Sequence, residues 1–301
     1  MKQAYLITAY KDYDQLKDLA GFLTKTAYVY IHVDKKSRSI TDEQIEKLNQ
    51  IEGCRAARVY EINWGSFHHL EAIVFLMMQA LMNEDVGYLH LITGEDFPLL
   101  DQSSLDERFL DEKKVFLSFI RPSDQPEEVL VRYRYKNIMA NRNMKNKFLW
   151  SAQDMAGRMQ EKMGMRRDGI GPFGASKIYK GLVYISMPRE AGLYVLSFIA
   201  SGSGAQFWNA LKGCQVPEEF FFQTIFLNSP EWQNRIEDKE LRFMDWSKGD
   251  GSSPSYLSDG DLERVLKAKD DGCCFARKFH PIQSVSLKEK ILAKMSEGQT
   301  D

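Results

Sequence analysis

An α/β fold with a mainly parallel, Rossmann-type central sheet flanked by helices is what this sequence predicts, and three observations predict it. Short apolar runs rich in β-branched and aromatic residues open the chain. Segments with apolar residues at helical spacing alternate with those runs, the pitch of successive βαβ units. The length of 301 residues, 44% hydrophobic and 27% charged, can bury one large core, or one core with a lobe.

Taken in order, Ala4–Ala9 (AYLITA) reads as the first strand. Asp14–Leu23 places Leu16, Leu19, Ala20 and Leu23 at helical spacing. Ala27–Val33 is the second strand, and Thr41–Asn49 a polar helix with Thr41 as its N-cap. Ala57–Ile62 reads as strand three, Ser66–Met82 as a long apolar-periodic helix, and Tyr88–Thr93 as strand four. In open sheets of this kind, ligands bind beyond the carboxyl ends of the strands. The loops after Ala9, Val33, Ile62 and Thr93 are therefore the first places to look for chemistry.

The later pattern is less regular. Strands are predicted at Val115–Phe119, Leu182–Ile185 and Arg242–Asp245, and helices at Arg189–Ala200 and Pro217–Leu227. Glu127–Met165 is largely helical and basic, and a glycine-rich loop (SKGDGSSPS) precedes a C-terminal helical tail. With no internal repeat and no low-complexity linker, the reading is one domain, 1–301, carrying a helical basic insertion, with a soft boundary near residue 120.

Charge and cysteine content narrow the function classes. A formal net charge of −2 argues against nucleic acid as the main partner. Between Val131 and Lys180, however, twelve Lys/Arg face three acids, a local charge of about +9. That stretch reads either as a solvated helical face or as a surface for phosphate, an anionic acceptor or an anionic membrane. The opening MKQAYLITAYKDYD is broken by Tyr10, Lys11 and Asp12, so it reads as a strand rather than a signal peptide. No run of about 18 apolar residues exists to span a bilayer. Cys54, Cys214 and the pair Cys273–Cys274 show no metal spacing, which suits a reducing, cytoplasmic setting.

Several segments are candidates for chemistry, each with a plainer reading beside it. In His32-Val33-Asp34-Lys35-Lys36-Ser37, Asp34 suits bonds from a ribose or a base, and equally a turn. In Asn63-Trp64-Gly65-Ser66, turn and cap chemistry explains all but Trp64, a pocket wall or a packing residue. Glu95 and Asp96, after Gly94, suit sugar hydroxyls or a metal, or an acidic loop opening a helix. Pro217-Glu218-Glu219 begins an apolar helix as helix starts prefer, and also fixes a carboxylate where a general base would gain from it. Phe275-Ala276-Arg277-Lys278-Phe279 interleaves cations with aromatics, suiting a diphosphate or a snorkelling surface pair. Gly169–Gly174 matches GxGxxG in letters only: it follows no strand, and Pro172 removes a backbone donor. Asp12-Tyr13-Asp14 and Asp259-Gly260-Asp261 have the DxD form of a metal site but are not assigned one, and His68–His69 lacks partners at zinc spacing.

Taken together and in order, YIHVDKKS, the WGS turn, YLHLITGEDFPL, the Lys180–Gly181 strand entry, PEEFFFQT and FARKF resemble the core-2/I-branching β-1,6-N-acetylglucosaminyltransferases and peptide O-xylosyltransferases. The resemblance spans most of the chain. It implies a GT-A-type fold, a UDP-sugar donor, inversion at the anomeric carbon, and catalysis without a metal or other cofactor. A nucleotide-sugar-binding half, 1–120, would precede an acceptor and catalytic half, 121–301. By position, Glu219 would be the catalytic base. Lys278 and Arg277 would neutralise the donor diphosphate, with Arg242 a second such arginine separated by an apparent insertion. Thr8, Tyr10 and Asp34 fall at the uridine pocket, Tyr10 standing where the branching enzymes have a histidine.

The reaction so implied moves a sugar, GlcNAc favoured, onto a hydroxyl of a glycan or lipid-linked saccharide, as in surface polysaccharide synthesis. Glu95 and Asp96 would orient sugar hydroxyls, Trp64 would wall the pocket, and Arg132 and Arg134 would contact the acceptor. A cytoplasmic location with peripheral membrane contact is the expectation. A xylosyl- or hexosyl-transferring enzyme of the same mechanism, and a relative that binds sugars without catalysis, are the alternatives. A nicotinamide-dependent oxidoreductase would need fingerprint glycines after Ala9, which are absent.

Overall fold

The computed structural model describes residues 1–142, 146–247 and 253–297. Lys145 of the basic stretch and 248–252 of the glycine-rich loop lie outside the described residues.

The first four strands are β1 (Lys2–Ala9), β2 (Tyr28–Val33), β3 (Cys54–Ala57) and β4 (Val86–Thr93). Between them run α1 (Tyr13–Leu23), α2 (Asp42–Asn49) and α3 (Phe67–Leu81), as the alternating pattern predicts. Thr41 caps α2 in a reciprocal capping box with Gln44. Ser66 stands at the N-cap of α3 without a side-chain cap bond; its hydroxyl instead accepts from the Asn63 N–H.

Beyond β4 come β5 (Asp96–Pro98), α4 (Gln102–Phe109), β6 (Val115–Leu117), α5 (Glu127–Arg134) and α6 (Lys147–Lys162). A hairpin of β7 (Gly169–Ile170) and β8 (Phe173–Gly174) is followed by β9 (Ile185–Pro188), α7 (Arg189–Ala200), α8 (Gly202–Leu211) and α9 (Glu218–Leu227). The chain ends with β10 (Ile236–Asp238), β11 (Arg242–Met244), α10 (Leu262–Asp270), β12 (Phe275–Arg277) and α11 (Val285–Glu297). Among the described residues, seven strands form the central sheet in the order β10-β6-β9-β4-β1-β2-β3. Only β9 runs against the others, pairing antiparallel with β4 and β6. The sheet is thus mainly parallel, and strands from both sides of residue 120 share it. β11, β12 and β5 make a second, three-stranded sheet.

Alternation along β1 sorts its side chains between two cores. Ala4 and Leu6 join the cluster with α3, α7 and α9, whereas Tyr5 and Ile7 join the one with α1, α2 and α4. A third cluster, from Phe97 to Met295, seats α10 and α11 on the small sheet.

Several boundaries differ from the sequence expectation. Strand three is Cys54–Ala57, not Ala57–Ile62. The N–H groups of Val59 and Tyr60 donate to His32 Nε2, and that of Ile62 to Asp34, so side chains replace a strand ladder there. The strand foreseen at Leu182–Ile185 starts at Ile185, and the basic insertion divides into α5 and α6. The GxGxxG segment is the β7–β8 hairpin.

Candidate functional site

β1, β2 and β4 end side by side, with Ala9 opposite Val33 and Thr8 opposite Thr93. The Asp34 N–H donates to the Ala9 carbonyl, 2.8 Å away. One Asp34 carboxylate oxygen accepts from the N–H groups of Lys36 and Ile62, each at 3.0 Å. Thr8 is half-buried at this rim, and Tyr10 is 52% exposed just beyond it. The three residues assigned to a uridine pocket therefore stand at one end of the sheet, where the topology places a ligand.

Beside them lies a cluster of charges. Arg277 contacts Thr93 Oγ1, lies 3.3 Å from Asp96 and 3.7 Å from Glu95. The Lys278 ammonium is 3.8 Å from Glu95 and donates to Ser253 Oγ at 3.0 Å. Lys11 sits 3.0 Å from Glu95 and donates to the Tyr256 hydroxyl. Burial alone would lower the Lys11 pKa; its bonds to Tyr256 and Glu95 prevail and hold it charged. Arg277 and Lys278 arrive through β12, whose antiparallel pairing sets Arg277 opposite Asp96 on β5.

Asp96 and Arg242 occupy the floor of this cluster rather than its surface. Asp96 has no side-chain exposure and accepts from the N–H and hydroxyl of Thr93 as well as from both arginines. Arg242 is 2% exposed, bonded to Asp96, with its guanidinium carbon 3.8 Å above the Tyr184 ring centre. Arg277 lies over the same ring at 5.4 Å. Tyr184, its hydroxyl pushed up to about 12 by burial, acts as an uncharged shelf between the two guanidiniums. The sequence had offered Glu95 and Asp96 for sugar hydroxyls; the structure turns both carboxylates onto cations.

Glu219 lies at the start of α9, a helix whose Phe220, Phe221, Phe222 and Phe226 are all buried. Each such ring contributes about 1.5–3 kcal/mol of burial, so the helix start is firmly placed. The carboxylate is 3.0 Å from Arg132 and 3.4 Å from Lys180. Burial raises the Glu219 pKa above the ordinary range, against Lys180; Glu218 adds to the rise and Arg132 opposes it. Glu218 itself meets His69 Nδ1 at 3.0 Å. The backbone N–H of Gly181 donates to the Glu219 carbonyl, and a Cβ at Gly181 would lie 1.9 Å from the Ser118 carbonyl oxygen. Only glycine permits that approach.

The Trp64 loop joins this second centre. Gly65, at φ +72°, accepts from the Val216 N–H, so the loop abuts the entry to α9 with Trp64 45% exposed. Arg134 does not join it. Two residues along a helix project to opposite sides, and Arg134 pairs with Glu127 of its own helix while Arg132 reaches Glu219.

Residues 180–184 connect the centres. Lys180 touches Glu219 and Tyr184 shelves the arginines, and four residues of extended chain span at most about 14 Å. Among the described residues, the three non-glycine residues with positive φ all adjoin these segments: Asp12 beside Lys11, Leu241 before Arg242, and Val216 before Pro217-Glu218-Glu219. Such backbone costs on the order of 1–3 kcal/mol and gathers where geometry serves function.

Sequence reasoning had not assigned Lys11, Tyr184, Tyr256 or Lys180 to the site. Lys11 stood in a loop already marked as a place for chemistry. Tyr184 read as part of a strand, and Tyr256 carried no local signal because its partners are 161 and 245 residues away. Among the described residues, no group of three or more His, Cys, Asp and Glu is placed to hold a metal ion.

Residues 3–266 match the model of a family described as Branch, Core-2/I-Branching enzyme. No curated protein matches the chain. Among solved structures, the bifunctional glycosyltransferase WbbM is 10% identical with a TM-score of 0.40, over 98% of this chain and 50% of its own. The chain thus spans half the length of that protein. Mouse xyloside xylosyltransferase 1 is 13% identical with a TM-score of 0.37, over 91% of this chain and 96% of its own.

Proposed function

The chain belongs to the Core-2/I-branching enzyme family, and from that membership we propose that it is an inverting glycosyltransferase using a UDP-sugar, with Glu219 as catalytic base. The observation that carries the reading is the Glu219 carboxylate itself: anchored at a helix start, lifted in pKa by burial, and held by Lys180, four residues along the chain from the Tyr184 ring that underlies the cation cluster.

In the proposed step the acceptor hydroxyl oxygen bonds to the anomeric carbon as Glu219 removes its proton. The bond from that carbon to the diphosphate oxygen breaks, and UDP departs with the electron pair. The transition state has oxocarbenium character, as in other glycosyl chemistry. Arg277, Lys278 and Lys11 meet the charge growing on the leaving diphosphate and take the place of a divalent cation. Arg242, being buried, supports Asp96 and Tyr184 rather than meeting the donor itself. Thr8, Tyr10 and Asp34 line the uridine end.

On the acceptor side stand Arg132 and Trp64. In the resting site Arg132 and Lys180 both hold Glu219, so an incoming saccharide must draw them partly away before the base can work. GlcNAc is the favoured sugar and a glycan or lipid-linked saccharide of surface polysaccharide synthesis the favoured acceptor, both on family resemblance. The test is a donor panel of UDP-GlcNAc, UDP-xylose, UDP-glucose and UDP-galactose, scored for binding and slow hydrolysis with and without EDTA. One UDP-sugar preferred in EDTA supports the reading. Strict dependence on an added divalent ion, or no binding even of UDP, overturns it.

A further inference from the structure

The basic insertion presents a surface that the reaction above does not use. None of the residues of α6 is buried. Phe148, Met155 and Met159 are 78, 61 and 57% exposed, and spacings of seven and four place them in one stripe along the helix. Lys147, Arg158 and Lys162 border that stripe on one side by the same helical geometry, at about 100° per residue. Arg158 is partly neutralised by Asp154, leaving the two lysines as the stronger charges. Met163 and Met165 extend the apolar edge beyond the helix, 68 and 55% exposed.

The concentration is not what a solvated helix shows. Among the described residues, eight of the twenty exposed large hydrophobic residues fall between Val131 and Met165. The helix is held to the body by polar contacts instead: Gln160 exchanges bonds with the backbone of Lys136, and Gln153 accepts from the Met139 N–H. Those glutamines lie on the opposite flank from the cations, so the apolar stripe is left facing outward. Among the described residues no helix is long and apolar enough to cross a membrane.

We propose that α6 lies along an anionic lipid surface, with Phe148, Met155 and Met159 in the headgroup boundary and Lys147 and Lys162 on the lipid phosphates. A protein of net charge −2 that collects about +9 over 131–180 is segregated for a negatively charged partner. An apolar stripe bordered by cations on a helix too polar to insert is the form that interfacial helices take. The same basic insertion reaches the acceptor side through its earlier part, where Arg132 meets Glu219 and Asn63 donates to the Asn141 carbonyl. Docking there would present membrane-borne hydroxyls to Glu219; that consequence rests on the transferase reading, whereas the docking itself does not.

The experiment is co-sedimentation of the full chain, without any sugar substrate, with vesicles of phosphatidylcholine alone or mixed with phosphatidylglycerol. Binding to the anionic vesicles is expected to be about tenfold or more the stronger, and to weaken in high salt. Phe148→Ser/Met155→Ser/Met159→Ser and Lys147→Glu/Lys162→Glu should each lose about tenfold, with thermal midpoint and UDP binding unchanged. Equal pelleting of wild type and both variants, or none with either vesicle, overturns the proposal. So does a dimer seen by light scattering that the triple-serine variant abolishes while vesicle binding is absent throughout. Because UDP binding is read separately, failure here leaves the catalytic reading standing, and the reverse.

Discussion

Arg132 Nη1 stands 3.0 Å from Glu219 Oε2, eighty-seven residues away in sequence. The pair joins the basic insertion to the start of α9, and it neutralises the carboxylate proposed as the catalytic base. Glu219→Gln keeps the shape of the side chain and removes its basicity. Transfer is expected to fall about 100- to 10,000-fold, the usual share of a general base, with UDP affinity changed less than about twofold. Single-turnover transfer alongside UDP titration measures both. Retained turnover would remove Glu219 from the mechanism.

The electrostatics of that centre set the pH response. A base must be ionised, and burial raises the Glu219 pKa, so the acid limb of kcat/KM should sit above the ordinary carboxylate range. Lys180 is the largest influence pulling that pKa down. Lys180→Met is therefore expected to move the acid limb to higher pH, with the plateau rate less affected. A limb that stays in place would assign the titration to another group.

On the proposed reading, diphosphate recognition separates from nucleoside recognition. Arg277 and Lys278 meet Glu95 and Asp96 at one end of the cluster, while Thr8, Tyr10 and Asp34 stand at the strand ends. Lys278→Met should weaken UDP by roughly 10- to 100-fold, in line with about 1.5–3 kcal/mol for a charged hydrogen bond, and leave UMP nearly unchanged. Calorimetric titration of both nucleotides decides it. Equal losses for UDP and UMP would place Lys278 away from the second phosphate.

Much of this arrangement was legible in the sequence, for identifiable reasons. The βαβ pitch located β1, β2, α2, α3 and β4 closely because each has a strong local period, and α2 also a boundary signal in its N-cap, Thr41. Strand three was misplaced because Val59-Tyr60-Glu61-Ile62 mimics alternation, while its hydrogen bonds go to His32 and Asp34. Asp96–Pro98 read as an acidic loop because the strand that pairs with it is Phe275–Arg277, far along the chain. Arg132 and Arg134 looked equivalent until α5 was seen to turn one toward Glu219 and the other toward Glu127. Local periodicity is written in neighbouring residues; counter-ions such as Glu95 for Lys11 are fixed only by tertiary closure.

Arg242 and Asp96 make a buried pair beneath the cluster, with side chains 2 and 0% exposed. Removing one partner of such a pair strands the other, at about 3–5 kcal/mol. Arg242→Ala should lower the urea midpoint accordingly, and it should also loosen Arg277, which shares Asp96 and Tyr184. Loss of UDP affinity without loss of stability would instead make Arg242 a direct donor contact.

The last prediction concerns acid. His32 is fully buried, and its Nε2 accepts from the N–H groups of Val59 and Tyr60, so the ring must be neutral with its proton on Nδ1. Burial lowers its pKa to about 4, with Asp34 opposing. A pKa depressed on folding means that the unfolded chain binds the proton first. The His32 contribution is therefore complete above about pH 6.5 and is lost as pH falls toward about 4, amounting to roughly 3 kcal/mol. His90, lowered to about 3 by burial, acts in the same direction, so only part of the acid destabilisation belongs to His32. In His32→Gln the amide oxygen can still accept from the loop but has no proton to gain. The difference in unfolding free energy between wild type and variant should shift in favour of the variant between pH 6.5 and 4.5. Parallel stability curves over that window would show that protonation of His32 does not contribute to the acid destabilisation.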